Sequence, residues 1–257
     1  MAEAPEDDRN THYLGREYLF YGRWDDCIRT LERHLSLPTA VWADERCASM
    51  RFLARAWRQK GRPEQARRWL WRAIGEAPHL REPYLELARL LYEEAEWDGV
   101  VYLCRQALAI TDRPQTYICE AEAWGSLPWD LLSLGLYHTG RRAEALEAAR
   151  QAGRPVFTFS QRDPQADIYA SQVRKEDGQT VFHVRTPQYE REFRLTMPGL
   201  FNVENALGVI AVCHALHVSP AAVYDGLVRA RVPGRMETYA NANGSLHAIV
   251  DLSLIHI

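Results

Sequence analysis

The feature that most constrains the fold is a helical pattern that recurs four times before residue 152. The segments GRWDDCIRTLERHLSL from Gly22, GRPEQARRWLWRAIGEAP from Gly61, AEWDGVVYLCRQALAI from Ala95 and GRRAEALEAARQAG from Gly140 begin 39, 34 and 45 residues apart. Each opens at a turn and continues with apolar residues at three- and four-residue intervals. Ile28, Leu31 and Leu35 are one such set, and Val101, Cys104 and Leu108 another; this is the spacing of one helix face. Gly22, Gly61 and Gly140 suit a tight turn between helices, and Pro63 suits a first helical turn. Ala66, Ala73, Ala107 and Ala145 are small residues where helices can approach closely. Each segment therefore reads as the second helix of a pair, with first helices expected at roughly 11–21, 41–59, 80–94 and 127–139. Pro83 falls in the first turn of the third of these. A helix pair cannot bury its own apolar face, so neighbouring pairs stack, and the stack has a concave side.

A period near 34 residues is that of tetratricopeptide repeats, and the array resembles them. The longer spacings need insertions of about 5 and 11 residues, placed near LSLPTAVWADE and TDRPQTYICEAEAW. The resemblance implies a peptide or protein partner on the concave face. Asp44, Glu45 and Arg46 read as charges at a helix start, and no acid–base pair or activated nucleophile stands out in the array. Glu120 and Glu122 lie beside Trp124 in the longer insertion, where repeat proteins can form a binding edge. The chain has 8 Trp and 12 Tyr, and most of the Trp precede residue 130. Two readings stand for them: helix contacts, or a sugar- or peptide-binding surface.

Composition narrows the function classes. With 257 residues there is room for one large or two modest domains. Hydrophobic residues make up 47% and charged residues 25%, and the formal net charge is -3. That balance gives no electrostatic case for nucleic acid or an anionic membrane as partner. No apolar run approaches the length of a membrane span. The cysteines Cys27, Cys47, Cys104, Cys119 and Cys213 are odd in number and form no C-x-x-C pair. They read as free thiols of a reducing compartment rather than zinc ligands. The N-terminus, MAEAPEDDRN, is acidic and unlike a signal peptide. A cytoplasmic protein is expected.

Several stretches of the array carry a second resemblance. DRNTHYLGREYLFYGRWDDCIRTLERHL, DERCASMRFLARAW, AIGEAPHLREPYLELARL and WDLLSLGLYHTGR resemble the helical repeat domain behind the catalytic domain of some bacterial family 2 glycosyltransferases. The likeness covers residues 9 to 152 and implies an accessory domain. The nucleotide-sugar domain with its Asp-x-Asp would precede it, so glycosyl transfer is not expected of this chain alone. Asp7–Asp8 has no strand before it and reads as linker.

Near Ala152–Gly153 the helical period stops. GRPVFTFS is β-like, and DIYASQVRKEDGQTVFHVRT reads as a hairpin turning at Glu176, Asp177 and Gly178. YEREFRLTM is a further strand, alternating Phe193, Leu195 and Met197, ended by Pro198–Gly199. A mostly apolar helix is expected over roughly 202–217, capped by Asn202. A shorter one follows over roughly 220–229, capped by Ser219 with Pro220 as its first residue. VPGRME is then a turn, and HAIVDL a strand that should enter a second αβ domain.

PGLFNVENALG and VPGRME together resemble the ATP-dependent Mur ligases of peptidoglycan synthesis over about residues 154–251. The likeness runs to the end of their central domain and the first strand of the C-terminal one, as in the ligase that adds the third amino acid to UDP-N-acetylmuramoyl-dipeptide. It implies an acyl phosphate made with ATP and magnesium, attacked by the incoming amine. By resemblance, Asn202 and Asn205 lie beside the nucleotide and Arg235 reaches its phosphate. The residues alone allow a helix cap for Asn202, a surface amide for Asn205 and a linker salt bridge for Arg235. The parental family needs a Gly-rich loop ending in Lys-Thr, and none occurs in these 257 residues. The chain is therefore expected to bind no cofactor of its own, with a UDP-muramoyl peptide as partner only through the resemblance.

The expected fold class is mainly α. A tetratricopeptide-like α-α superhelix spans residues 1–152, a small incomplete α/β segment of Mur ligase type spans 153–251, and 252–257 (LSLIHI) reads as a foreign tail. The second piece is expected to be a hairpin or small mixed sheet with two or three helices, loosely packed against or apart from the array, its open edges and apolar helix uncovered.

Overall fold

The computed structural model describes residues 7–153, 155–197, 199–231, 237–240, 242–243 and 247–250. The chain divides into two compact units, Met1–Arg154 and Pro155–Ile257.

The first unit is four helix pairs in tandem: α1 (Asp8–Phe20) with α2 (Trp24–Ser36), α3 (Ala43–Gln59) with α4 (Pro63–Glu76), α5 (Glu82–Glu93) with α6 (Trp97–Ala109), and α7 (Leu127–His138) with α8 (Arg142–Gln151). Each helix packs on its predecessor, and α1 also touches α3, α3 touches α5 and α5 touches α7. This is the first-helix-on-first-helix stacking of a repeat superhelix. The seams are small and aliphatic: Ala66, Ala73, Ala107 and Ala145 are all buried, among Leu70, Leu87, Leu103 and Leu132. Gly15 is the closest approach, since a Cβ there would stand 2.3 Å from Leu31 Cδ2. The tryptophans Trp57, Trp69, Trp124 and Trp129 are partly buried against the main cluster, which favours the helix-contact reading for them; Trp42 and Trp71 remain exposed.

The turns inside the four pairs are copies of one another. The amides of Arg23, Arg62, Glu96 and Arg141 donate to the carbonyls of Tyr18, Trp57, Leu91 and Leu136, at 2.8–3.0 Å. This six-to-one bond closes a helix when the preceding residue is left-handed. That residue is Gly22 (φ 69°), Gly61 (φ 68°), Ala95 (φ 56°) and Gly140 (φ 78°). The third turn thus holds an alanine where the others hold glycine.

The second unit has a four-stranded mixed sheet in the order β1 (Phe159–Ser160), β2 (Ile168–Glu176), β3 (Gln179–Arg185), β4 (Glu190–Leu195). β1 runs parallel to β2 and the other pairs are antiparallel. The β2–β3 turn falls at Asp177 and Gly178, both left-handed, and a bulge between Ser171 and Arg174 shifts the register. Ile168, Ala170, Phe182, Val184, Phe193 and Leu195 form one core with α9 (Phe201–Ala215) and α10 (Pro220–Arg229). Ser219 caps α10, its Oγ accepting from the Ala222 amide at 3.3 Å, with Pro220 in the first turn.

Three expectations change. The apolar helix is not left uncovered, because the small mixed sheet closes a core with Val203, Leu207 and Ile210 of α9 and Val223 and Leu227 of α10. The apolar helix is covered on that side only; Phe201, Val209, Val212 and Leu216 stay exposed. Asn202 is not a cap: α9 begins at Phe201 with Leu200 at the N-cap position and no side-chain cap. The strand expected in HAIVDL is β6 (His247–Val250), and it pairs antiparallel with β5 (Glu237–Ala240) in a separate two-stranded sheet. Arg235 and the tail 252–257 lie outside the described residues.

The alanine in the third turn gives a direct test. A left-handed non-glycine residue costs roughly 1–2 kcal/mol, and glycine gives back about 0.4–1 kcal/mol through the freer unfolded chain. Ala95→Gly is expected to raise stability by about 0.5–1 kcal/mol in urea unfolding. Gly61→Ala, where a Cβ would meet nothing within 4 Å, is expected to lower it by a similar amount. An Ala95→Gly chain no more stable than its parent would show that this turn is unstrained.

Candidate functional site

Along α3, Arg51, Arg55 and Arg58 recur at the spacing of one helix face. On α5, Glu82, Glu86, Arg89 and Glu93 do the same and face them. Arg51 Nε donates to Glu86 Oε1 at 2.5 Å, Arg55 Nη2 to the same oxygen at 2.7 Å, and Arg58 pairs with Glu93. The Arg51 side chain is 1% exposed and Glu86 14%, so neither charge could sit there without the other. Burial alone would lower Arg51, yet Glu86 and Glu120 more than offset it and hold the guanidinium above its usual range. Burial would raise Glu86; Arg51 and Arg55 overcome that and hold it below the usual carboxylate range.

The segment between α6 and α7 comes back over this face. Residues 111–120 are irregular and end in a 3-10 turn, Ala121–Trp124. Glu120 accepts from Arg51 Nη2 and, at 2.9 and 3.1 Å, from Arg55 Nη2. Its backbone amide donates to Glu82 Oε1 at 2.8 Å. Glu122 takes Arg89, the Tyr117 hydroxyl donates to Glu45, and Ile118 is buried against Leu19, Phe52 and Leu53. Beside this strap, between α1, α3 and α5, lies a cavity of about 440 Å³ lined by Phe20, Arg55, Arg58, Arg89 and Leu90, among others. A second, of about 190 Å³, lies on its other side against His12, Arg16 and Phe52.

Beneath the strap runs a buried polar relay. His12 Nδ1 is 2.7 Å from Ser49 Oγ, which is 3.0 Å from His34 Nδ1. His34 Nε2 is 3.5 Å from Glu45 Oε1. At that distance His34 Nε2 makes no hydrogen bond to Glu45, and the Ser49 hydroxyl bridges the two imidazoles. The order serine, histidine, carboxylate is that of an activated nucleophile. Ser49 is nevertheless fully buried and its hydroxyl already bridges both imidazoles, so no substrate carbonyl reaches it. The relay holds α1, α2 and α3 together. Burial drives His12 down to about 3, with His34, Arg16 and Arg9 adding to the effect. His34 is also lowered, by burial first, with Glu45 and Asp8 opposing. The Tyr117 hydroxyl is raised, by burial first and then by its bonds to Glu45 and Tyr13.

Of the residues singled out in sequence, Glu120 and Glu122 are brought into this site. Asp44 and Glu45 do stand in the first turn of α3, but buried and bonded to His79 and Tyr117. Asn202 and Asn205 meet in the first turn of α9, Asn205 Nδ2 donating to Asn202 Oδ1 at 3.3 Å. The arginines of α3 and the carboxylates of α5 were missed. Their signal was the three- and four-residue spacing of opposite charges on consecutive first helices, which periodicity of apolar residues does not register. All five cysteines are free; Cys27, Cys47 and Cys104 are buried, and burial pushes these three thiols up to about 12. Among the described residues no three His, Cys, Asp or Glu are grouped to hold a metal, and no helix is long and apolar enough to cross a membrane.

Comparison with known proteins links the chain to peptidoglycan ligases. The Mur ligase middle domain family model matches residues 139–213. A UDP-N-acetylmuramoyl-L-alanyl-D-glutamate–2,6-diaminopimelate ligase of Clostridioides difficile is 34% identical over 98 residues, which are 38% of this chain and 20% of that protein. The chain thus spans about a fifth of the length of such relatives. Among solved structures, MurF from Acinetobacter baumannii is 29% identical with a TM-score of 0.37, covering 43% of this chain and 23% of that one. A putative kinesin light chain of Podosopora anserina with nearly identical TPR-like repeats is 22% identical with a TM-score of 0.44, covering 59% and 76%. The ligase match begins at residue 139, ahead of the start near 154 read from sequence, and takes in α8, which packs on α7.

The relay sets a pH dependence. Between about 6.5, the ordinary imidazole value, and about 3, the unfolded chain binds a proton at His12 that the folded chain refuses. Stability is therefore whole above 6.5 and falls as pH drops. The loss is roughly 2 kcal/mol by pH 5 for His12, and the lowered His34 adds to it in the same direction. Urea unfolding followed by tryptophan fluorescence at pH 7.5 and 5.0 should show this fall. His12→Gln should remove the part that His12 contributes, about 2 kcal/mol between these two pH values, and an unchanged slope in that variant would rule out His12 as its source.

Proposed function

We propose that the chain acts as a partner-binding helical-repeat module carrying a Mur ligase-type segment, and that its own residues do not perform the ligase reaction. The observation that carries this reading is the groove of α1, α3 and α5. Charged side chains and an open cavity of about 440 Å³ are concentrated there, on the stacked first helices where a repeat array offers its binding face. The partner is a peptide or protein. The resemblance of residues 9–152 to the repeat domain of family 2 glycosyltransferases supports an accessory role for the array. Both resemblances concern bacterial envelope synthesis, and the likeness to Mur ligases supports a cytoplasmic location.

For the ligase segment, the family implies ATP, magnesium and a UDP-muramoyl peptide, with Asn202, Asn205 and Arg235 on the nucleotide side. The residues present do not fit a magnesium–ATP site. Asn202 and Asn205 are neutral amides bonded to one another, the described residues offer no metal cluster, and the sequence holds no Gly-rich Lys-Thr loop to cradle a triphosphate.

Calorimetry of ATP with magnesium into the whole chain tests this. No heat of binding is expected, and Asn202, Asn205 and Arg235 are then relics of the parental site. Micromolar binding lost in Arg235→Ala would overturn the reading and restore the ligase segment as a nucleotide site.

A further inference from the structure

The strap contacts the groove as a bound peptide would. Its links run 65–72 residues back along the sequence, to Glu45, Arg51 and Arg55 of α3. Ile118 fills an apolar site, Glu120 takes Arg51 and Arg55, and Glu122 takes Arg89. The Glu120 amide is read by Glu82 at 2.8 Å, a main-chain contact that any peptide could reproduce. The strap is flanked by cavities of about 440 and 190 Å³. Ile118 anchors it in the core, and polar bonds at Tyr117, Glu120 and Glu122 hold the rest.

We propose that this groove is a docking surface for a short acidic peptide of the pattern aliphatic-x-Glu-x-Glu, and that residues 117–122 are its resident occupant, which the partner displaces. The proposal rests on the reading of the array as a partner-binding module. Charge complementarity selects the ligand. Without the strap, Arg51 keeps Glu86, but Arg89 loses its carboxylate and Arg55 one of its two. Glu82 loses an amide donor. A peptide supplying two carboxylates at that spacing, an aliphatic side chain two positions before the first of them and a free backbone N–H restores all of these. The larger cavity, lined on one side by Arg58, Arg89 and Leu90, lets an incoming chain engage before the strap has left.

The test uses a fluorescein-labelled peptide of residues 114–123 with Cys119→Ser, titrated by fluorescence anisotropy into the full chain and into its Glu120→Gln/Glu122→Gln variant. Circular dichroism establishes that the variant is folded. The peptide should bind the variant at least tenfold more tightly than the parent. A peptide with both glutamates changed to glutamine should not bind, and adding Arg55→Ala and Arg89→Ala to the variant should abolish binding. In the unmodified chain, saturating peptide should raise hydrogen exchange at residues 117–122 and leave α7 and α8 unchanged. Equal affinity for both chains, indifference to the peptide's glutamates, or unaltered exchange at the strap would overturn the proposal. Panning a random peptide library on the variant separates the two levels. Enriched peptides lacking the acidic spacing sink this inference while the module reading stands; no enrichment sinks both.

Discussion

Arg51 is the point on which the repeat unit turns. A guanidinium with 1% of its side chain exposed must meet carboxylates, because desolvation of a charge is recovered only through close pairing and full hydrogen bonding. Its two partners come from different places: Glu86 from the next repeat and Glu120 from the strap. One side chain therefore ties the second pair of helices, the third pair and the long insertion to a common geometry. Arg55 repeats the arrangement one turn later with the same two partners, so the strap is located by two guanidiniums rather than one.

The contrast with the seams of the array is physical. Between helices the contacts are Ala, Leu and Val, non-directional and tolerant of small shifts. On the first-helix face they are charged and directional. The relay below adds a further constraint, since Ser49 has a single hydroxyl proton and two imidazole neighbours. It can donate to only one of them, so the other imidazole must donate to Ser49 or share its oxygen. Tyr117 joins the strap to the end of that relay. The concave face is thus a continuous polar network laid over an aliphatic stack.

How much of this could be read in advance follows from what each signal measures. The helix pairs were legible because apolar periodicity and turn residues act locally. The first helices expected near 11–21 and 41–59 are Asp8–Phe20 and Ala43–Gln59, and even the departure at Ala95 stood in the sequence. The hairpin at Asp177–Gly178 was legible for the same reason. The groove was only half legible. Glu120 and Glu122 drew attention as loop acids, but Arg51 sits in a helix rich in arginine, where a charge reads as solvent-facing until a partner 69 residues away is known. Asn202 failed as a cap because α9 starts one residue earlier, at Phe201, a difference that propensity does not resolve.

The same locality explains why α8 carries two identities. By packing it closes the array against α7; by likeness it opens the ligase match at residue 139. Only Ala145 and Ala148 of α8 are fully buried, so the stack asks little more of its last helix than a face of small residues. The part of the chain that matches the ligase family model can meet that demand with its alanines. Downstream, the demand is stricter and is met on one side only. α9 is apolar almost all round, the pattern of a helix buried on two faces. Its Val203, Leu207 and Ile210 close the sheet, while Phe201, Val209, Val212 and Leu216 remain exposed. α9 is therefore apolar on more of its circumference than the sheet and α10 cover.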